Sequence, residues 1–218
     1  FLPDNKTLVT LSDQAPAGEI GEVELWTLPA NGVGEAAQLT HDGDSLRWEA
    51  VPSPDGRWIA HHDKNLRLWL YNTESKTNKQ VDETTSDNPF EDLAWSPDSR
   101  WLALRAPSNV VEIWDLPDHR LVKRLPDAGV PAYFGEGDAE LVTVKESHLL
   151  GWDRKTWKPT HTVQLEFTPA VMNWGPLGDR LLAAAGGELF AVGDTNGIVH
   201  VLNRKSRREV SFVKVGVV

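Results

Sequence analysis

The sequence predicts an all-β fold built from repeated four-stranded units, and three observations support this prediction. A segment centred on Ser-Pro-Asp, followed closely by Arg-Trp, occurs at Pro52–Ala60 and again at Trp95–Ala103. Each copy is followed by an alternating run that ends in tryptophan, Leu66–Trp69 and Val111–Trp114. No long stretch carries a convincing helical period. Four-stranded repeats of about 44 residues are typical of β-propellers, so we predict a propeller of five four-stranded blades.

Two series of positions divide the chain into units. The last residue of the third strand, usually tryptophan, falls at Trp26, Trp69, Trp114, Trp152 and Leu202. The turn between the first two strands falls at Pro3, Pro54, Pro97, Glu136 and Pro176. Proline presets φ at the first central turn position, and Asp-Gly or Asp-Ser suits the next. Both series predict a single propeller domain over residues 1–218, with blades at about 1–45, 46–88, 89–128, 129–168 and 169–218.

The two ends of the chain bear on how the predicted ring closes. Phe1 occupies the position of Trp95, the last residue of an innermost strand, so the first blade lacks most of that strand. The tail, Lys214–Val218, is short, apolar and strand-like. We expect the N- and C-terminal strands to share the first blade, which removes an exposed edge and favours a monomer. The alternative is an open arc completed by a second copy, and a dimer is expected in that case.

Two groups of motifs carry family resemblances. The motifs of the first group are Ser53–Ala60, Arg67–Leu70 and Ala94–Ala103. On these motifs, the chain from Phe1 to about Leu104 resembles the propeller domains of Tricorn-like proteases and their TolB-type relatives. The motifs of the second group are Ile113–Leu116, Gly151–Asp153 and Asp194–Asn203. On these motifs, the chain from about Val110 to Val213 resembles WD-repeat proteins.

The change in motif type near residues 104–110 suggests a junction between two kinds of propeller. A chimera, natural or engineered, is one interpretation, and divergence among the blades is the other. The WD-repeat resemblance implies an aspartate six residues before the third-strand tryptophan, and Asp63 with Trp69 is the pair that fits. We therefore expect hydrophobic packing between blades to supply most of the stability, with few buried polar tetrads.

Composition argues against several classes of function. The net charge of −10 disfavours nucleic-acid and anionic-membrane partners. The basic run Arg204–Arg208 falls where a turn is expected, and we interpret it as a solvated turn. There is no cysteine, and no apolar run approaches the ~20 residues of a membrane span. The absence of cysteine and of a visible signal peptide favours the cytoplasm, although the compartment stays open.

Sequence patterns typical of catalysis and metal binding are missing, so we expect a protein that is not an enzyme and has no cofactor. There is no Gly-x-Ser-x-Gly elbow, EF-type calcium loop or Gly-Lys-Ser/Thr phosphate cradle. The densest group of candidate ligands is His61-His62-Asp63. Neighbours on a strand point to opposite faces, whereas zinc needs three or four convergent ligands. We expect one histidine to face a neighbouring blade, the other to face solvent, and Asp63 to bond Trp69, with no metal bound.

Two tryptophans, Trp48 and Trp157, have no counterpart at the matching position of another blade. They are candidates for exposed aromatic anchors at a binding face, and the alternative is that each fills a gap between blades. Together with Asp63, they are the predicted binding residues.

We expect a non-catalytic scaffold that binds a protein or peptide partner through the loops or mouth of the propeller. The alternatives are a propeller that gates substrate for a Tricorn-like protease and an engineered chimera with no evolved activity.

Overall fold

The fold is an all-β, five-bladed β-propeller, as predicted. The computed structural model describes residues 1–13, 22–41, 47–63, 67–81, 92–106, 108–135, 139–173, 179–181 and 183–215. None of these residues is helical, so the described part of the chain offers no helix that could cross a bilayer. The chain divides into two compact units, Phe1–Pro89 and Phe90–Val218.

The first unit contains two antiparallel sheets. The first sheet has the order β1-β2-β3, with β1 at Thr7–Ser12, β2 at Glu24–Pro29 and β3 at Ala37–Gln38. The second sheet has the order β4-β5-β6-β7, with β4 at Trp48–Pro52, β5 at Trp58–His62, β6 at Leu68–Asn72 and β7 at Thr77–Gln80. Leu25 of the first sheet packs with Ile59 and Tyr71 of the second. Each sheet therefore buries an apolar face against its neighbour.

The second unit begins with two four-stranded antiparallel sheets. The third blade contains β8 (Leu93–Trp95), β9 (Trp101–Ala106), β10 (Val110–Asp115) and β11 (Arg120–Leu125). The fourth blade contains β12 (Val130–Phe134), β13 (Glu140–Lys145), β14 (His148–Asp153) and β15 (Pro159–Gln164). The junction predicted near residues 104–110 falls inside the hairpin of β9 and β10, where Val110 pairs with Ala106. A change of motif type at this point leaves the hydrogen-bonded ladder continuous.

The last part of the second unit contains more strands than the predicted four. A separate hairpin is formed by β16 (Val171–Asn173) and β17 (Asp179–Leu181). The four-stranded sheet of the fifth blade is formed by β18 (Ala183–Gly186), β19 (Leu189–Gly193), β20 (Ile198–Asn203) and β21 (Glu209–Lys214).

Backbone pairing shows that the hairpin β16–β17 is an insertion in the innermost strand of the fifth blade. Pro169 bridges Asp194, and the Ala170 amide donates to the Gly193 carbonyl at 2.8 Å. The next residue of β19, Val192, pairs with Ala183. Residues 169–170 and β18 therefore occupy the same edge of β19. The strands that flank the predicted turn at Pro176 form the inserted hairpin, and the assignment differs from the prediction here; Pro176 itself lies outside the described residues.

The predicted Pro-Asp turns form in successive blades. The Asp55 carboxylate accepts bonds from the Ser53 hydroxyl at 2.6 Å and from the Arg57 amide at 3.0 Å. Gly56 has a φ of 74°. The next blade repeats these bonds, from the Ser96 hydroxyl to Asp98 at 2.5 Å, from the Arg100 amide to Asp98 at 3.0 Å, and from the Trp101 amide to the Ser96 hydroxyl at 2.8 Å. Short-range chemistry therefore fixes these turns, as the sequence predicted.

Hydrophobic packing joins neighbouring blades of the second unit. Adjacent residues of β13 point to opposite faces of the sheet. Leu141 belongs to an apolar cluster shared with Ile113 of the third blade. Val142 belongs to a cluster shared with Phe190 of the fifth blade. The fourth blade is therefore covered on both faces, as expected for stacked blades.

The predicted closing strand, Lys214–Val218, is described only in part. Lys214 is the last residue of β21, and the Val215 amide continues that ladder by donating to the Gly197 carbonyl at 2.9 Å. Residues 216–218 lie outside the described part of the chain. Closure by shared terminal strands stays a prediction.

Candidate functional site

A buried ion pair lies between the two sheets of the first unit. The Arg47 side chain is 1% exposed, and its Nε donates to the Glu24 carboxylate at 2.9 Å. The Thr40 hydroxyl donates to the same Glu24 oxygen, while it accepts the Leu25 amide at 3.0 Å. Burying a charge is costly unless it is paired and hydrogen-bonded. These contacts pair one oxygen of the buried Glu24 carboxylate with both a guanidinium and a hydroxyl donor.

His61 extends this polar network and is fully buried. Its Nδ1 lies 3.2 Å from an Arg47 guanidinium nitrogen, and its Nε2 lies 2.9 Å from the Asn78 side-chain oxygen. Arginine can only donate, so Nδ1 accepts and Nε2 carries the proton that is donated to Asn78. Burial, followed by the Arg47 charge, lowers the pKa of His61 to about 3. His61 is therefore a neutral link in the network.

The expectation that one of the two adjacent histidines faces solvent is wrong, because His62 is buried as well. Burial lowers the pKa of His62 to about 4, although Asp63 acts in the opposite direction. Both faces of β5 are covered. The side chains of His61 and His62 point to opposite faces of this strand, and each is buried on its own face. Among the described residues, no group of three His, Cys, Asp or Glu side chains is placed to hold a metal ion.

Asp63 makes the predicted bond to the recurring tryptophan of its blade. The Trp69 indole Nε1 donates to the Asp63 carboxylate at 3.0 Å. Arg67 also donates to this carboxylate, from its side-chain Nε at 2.7 Å and from its backbone amide at 3.1 Å. Because Asp63 is buried and accepts all three bonds, its role in the described structure is to hold the blade together.

Trp157, proposed from the sequence as an exposed anchor, is 8% exposed and lies in an apolar cluster. Its ring packs edge-on against Trp101, with the ring centroids 5.9 Å apart. This position agrees with the alternative interpretation, in which Trp157 fills a gap. Trp48 is in β4, and its side chain lies outside the described part of the molecule.

The basic run at residues 204–208 is not a fully solvated turn, because two of its arginines lie against the fourth blade. Arg204 donates to the Gly187 carbonyl at 2.6 Å, and its guanidinium lies 4.7 Å from the centre of the Tyr133 ring. Arg207 forms an ion pair with Glu140. Burial raises the pKa of Tyr133 to about 12. Arg204 and Arg207 therefore form contacts between the fourth and fifth blades.

A second polar group lies in the fifth blade around His200. The His200 Nδ1 lies 2.6 Å from the Glu209 carboxylate, and its Nε2 lies 3.4 Å from Asp194. The ring is stacked on Phe167, with centroids 3.6 Å apart. Although burial raises the pKa of Asp194, hydrogen bonds from Ile198 and Asn196 lower it to about 2 overall. This group was not predicted from the sequence, since its members converge only through strand pairing.

Among the described residues of the second unit, the most exposed apolar feature is the outermost strand of the fifth blade. We call Val210, Phe212, Val213 and Val215 the β21 surface; their exposures are 57%, 61%, 58% and 55%. In the described residues, the corresponding outer strands β7, β11 and β15 contribute no exposed large hydrophobic side chain. An apolar strand is normally expected in a core, and only the strand order shows that β21 is outermost. This surface is the candidate binding site.

Comparisons with known proteins identify the fold but no family. No protein-family model and no curated protein sequence match the chain. Its structure is similar to a chain in the crystal structure of a mitotic checkpoint complex, with a TM-score of 0.65 and 15% identity. The match covers 96% of this chain and 61% of that chain. At this identity the similarity shows the propeller fold alone, and the Tricorn-like and chimera interpretations stay predictions.

Proposed function

We propose that this chain is a non-catalytic scaffold that binds a protein or peptide partner through the β21 surface. The observation that carries the proposal is the exposure of Val210, Phe212 and Val213 on one outer strand. Neighbouring residues of a strand point to opposite faces, so both faces of this outer strand expose large apolar side chains, and exposed apolar surface of this kind marks interaction sites. The other described outer strands are polar or charged where they meet solvent, so the apolar character is specific to this blade.

Two buried acids of the described blades support the non-catalytic part of the proposal. Asp63 is held by Trp69 and Arg67, as described above. In the third blade, the Glu112 carboxylate accepts the Trp114 indole at 3.2 Å and the Arg124 guanidinium at 2.8 Å. These acids are buried and bonded within their own sheets, which is the arrangement expected of a structural framework.

Selection of peptides from a displayed library on the immobilised chain tests the proposal. We expect a defined family of peptides on the wild-type chain and its loss on Val213→Asp, because a charge interrupts the apolar surface. Val33→Asp is the matched control, since Val33 is 75% exposed outside the β21 surface. Melting curves of both variants report folding. Peptides that bind Val213→Asp as well as wild type, or a selection that enriches nothing, would contradict the proposal.

A further inference from the structure

We infer that β21 binds its partner by strand addition, and that the partner is an extended apolar segment with acidic residues at its ends. This inference rests on the proposed function and specifies the mode of binding and the chemistry of the partner. Extended peptides that add to a sheet edge gain affinity from main-chain bonds and specificity from alternate side chains.

The backbone of β21 has an outward-facing row of donors and acceptors. Residues in an antiparallel pair alternate between hydrogen-bonded and non-hydrogen-bonded positions. The Val215 amide donates to Gly197 of the neighbouring segment, and the same register pairs Val213 with Val199. Val215 and Val213 therefore bond inwards. The backbone groups of the alternate residues, Phe212 and Lys214, point away from β20, at the edge where the sheet order ends.

The exposed charges around this edge are mainly positive, although the whole chain carries a net charge of −10. Lys205 and Arg208 are exposed in the turn before β21, and Lys214 is exposed at its end. The Glu209 carboxylate is held by the His200 ring at 2.6 Å. Opposite charges across a strand pair are stabilising. An added segment with acidic ends therefore fits both ends of β21.

A second copy of β21 fits this edge poorly. In a symmetric antiparallel pair of two β21 strands, residues directly opposite each other have their side chains on the same side of the sheet. The residue at the centre of the pair therefore lies opposite its own counterpart in the second copy. Centring the pair on Ser211 places Arg208 opposite Lys214, which repel each other. Centring it on Phe212 or on Val213 places Lys214 opposite Val210 or Phe212, so neither register gives Lys214 an acidic neighbour. A different chain with acidic ends supplies the opposite charges that a second copy of β21 lacks.

The first experiment compares two labelled synthetic peptides by fluorescence anisotropy with the full chain. The acidic probe is Asp-Val-Thr-Val-Thr-Val-Glu, and the matched probe carries lysine at both ends. The acidic probe gains an exposed ion pair at each end, whereas the lysine probe meets a like charge at each end, and each such contact is individually weak. We therefore expect the acidic probe to bind about tenfold tighter at low salt, with a smaller difference at high salt. Equal binding of the two probes would overturn the acidic chemistry of the partner.

The second experiment separates main-chain bonding from side-chain contact. Phe212→Ala and Phe212→Pro both remove the aromatic ring, but only proline removes the outward amide. Because this amide makes no bond to β20, proline is tolerated at this kind of edge position. We expect the acidic probe to bind Phe212→Pro at least about tenfold more weakly than Phe212→Ala. Slower amide exchange at Lys214 on binding, measured by NMR in Phe212→Ala, gives an independent readout of strand addition.

The outcomes distinguish this inference from the proposed function. Equal binding of the probe to Phe212→Ala and Phe212→Pro, with loss on Val213→Asp, overturns strand addition and leaves the binding function standing. A concentration-dependent dimer that Phe212→Pro dissociates overturns the choice of a different partner chain. Failure of both probes, together with a library selection that enriches nothing, overturns both proposals.

Discussion

The second and fourth blades each provide a hydrogen-bond acceptor for a tryptophan indole, but the acceptors differ in chemistry. Trp69 and Trp152 occupy the same position of the repeat, and each indole donates a hydrogen bond, which is partly buried for Trp69 and buried for Trp152. Trp69 donates to the carboxylate of Asp63 at 3.0 Å, whereas Trp152 donates to the hydroxyl of Thr143 at 3.0 Å. Both blades therefore supply an acceptor for the indole, but only the second blade supplies a charged one.

The difference continues around the two tryptophans. The second blade surrounds Trp69 with Arg47 and the stacked ring of His61. Trp152 belongs to an apolar cluster that includes Phe134 and Trp157. Stability in the first region depends on keeping charges paired and histidines neutral, while stability in the second depends on filled volume. The two regions should respond differently to acid, to charge removal and to added volume.

Acid should separate the two regions most strongly. The pKa values of His61 and His62 fall from 6.5 to about 3 and about 4 on folding. Below pH 6.5 the unfolded chain binds protons that the buried histidines do not, so stability is present above this pH and is lost as the pH falls towards 4. One pKa unit corresponds to about 1.4 kcal/mol, so two histidines over two pH units account for about 5 kcal/mol.

Hydrogen–deuterium exchange, corrected for intrinsic rates, measures this effect strand by strand. Protection of β5 should fall between neutral pH and about pH 5, while protection of β13 changes less. Replacing both histidines, as His61→Gln with His62→Gln, should flatten the response of β5. A parallel loss of protection in β5 and β13 would show that burial of the histidines is not the cause.

Removal of the buried arginine should have the next largest effect. Arg47→Met leaves the Glu24 carboxylate buried without its guanidinium partner, and breaking a buried pair typically costs about 3 to 5 kcal/mol. Arg57→Met is the matched control, because the Arg57 side chain is 57% exposed and pairs with Asp55 at 2.6 Å. Exposed pairs are screened by solvent and contribute little, so we expect a much smaller loss for Arg57→Met. Equal losses in urea denaturation of the two variants would contradict the difference between the two environments.

The parts of the fold that the sequence predicted are those determined by nearby residues. Asp55 and Asp98 bond residues within two positions of themselves, so their turns follow from local chemistry. The bond from Trp69 to Asp63 also spans a short segment, and it was expected from the six-residue offset that the WD-repeat resemblance implies. The recurrence of these elements was sufficient to predict the number of blades.

The candidate site and the inserted hairpin depend on strand pairing between distant positions. Alternation along β5 predicted two faces for His61 and His62, but not that both faces are covered. Trp157 is enclosed because Trp101, far away in sequence, packs against it. The β21 surface has the same apolar pattern as a core strand, and its exposure follows only from its place at the end of the sheet.

A larger side chain at Gly151 of β14 should test the packing of the fourth blade, because the outer strand β15 lies close to β14 there. A methyl group at Gly151 would meet the His161 ring, with Cε1 only 2.0 Å away. Overpacking of this kind costs up to about 3 kcal/mol, so Gly151→Ala should lower the melting temperature by several degrees. Adding His161→Ala removes the obstruction and should restore most of the loss. If the double variant is no more stable than Gly151→Ala, the contact with His161 is not the cause.

The smallest expected effect concerns the acceptor of the indole itself. Thr143→Val keeps the shape of the side chain but leaves the Trp152 Nε1 without its bond, which should cost about 1 to 2 kcal/mol in urea denaturation. Ser12→Ala is the matched control, because Trp26 donates to the Ser12 backbone carbonyl at 3.2 Å and that acceptor survives the change. We expect a loss below about 0.5 kcal/mol for the control. Similar losses in the two variants would mean that the side-chain acceptor contributes nothing specific. In that case the packing of side-chain volume alone would stabilise the interior of the fourth blade. The interiors of the second and fourth blades would then differ more than their indole hydrogen bonds indicate.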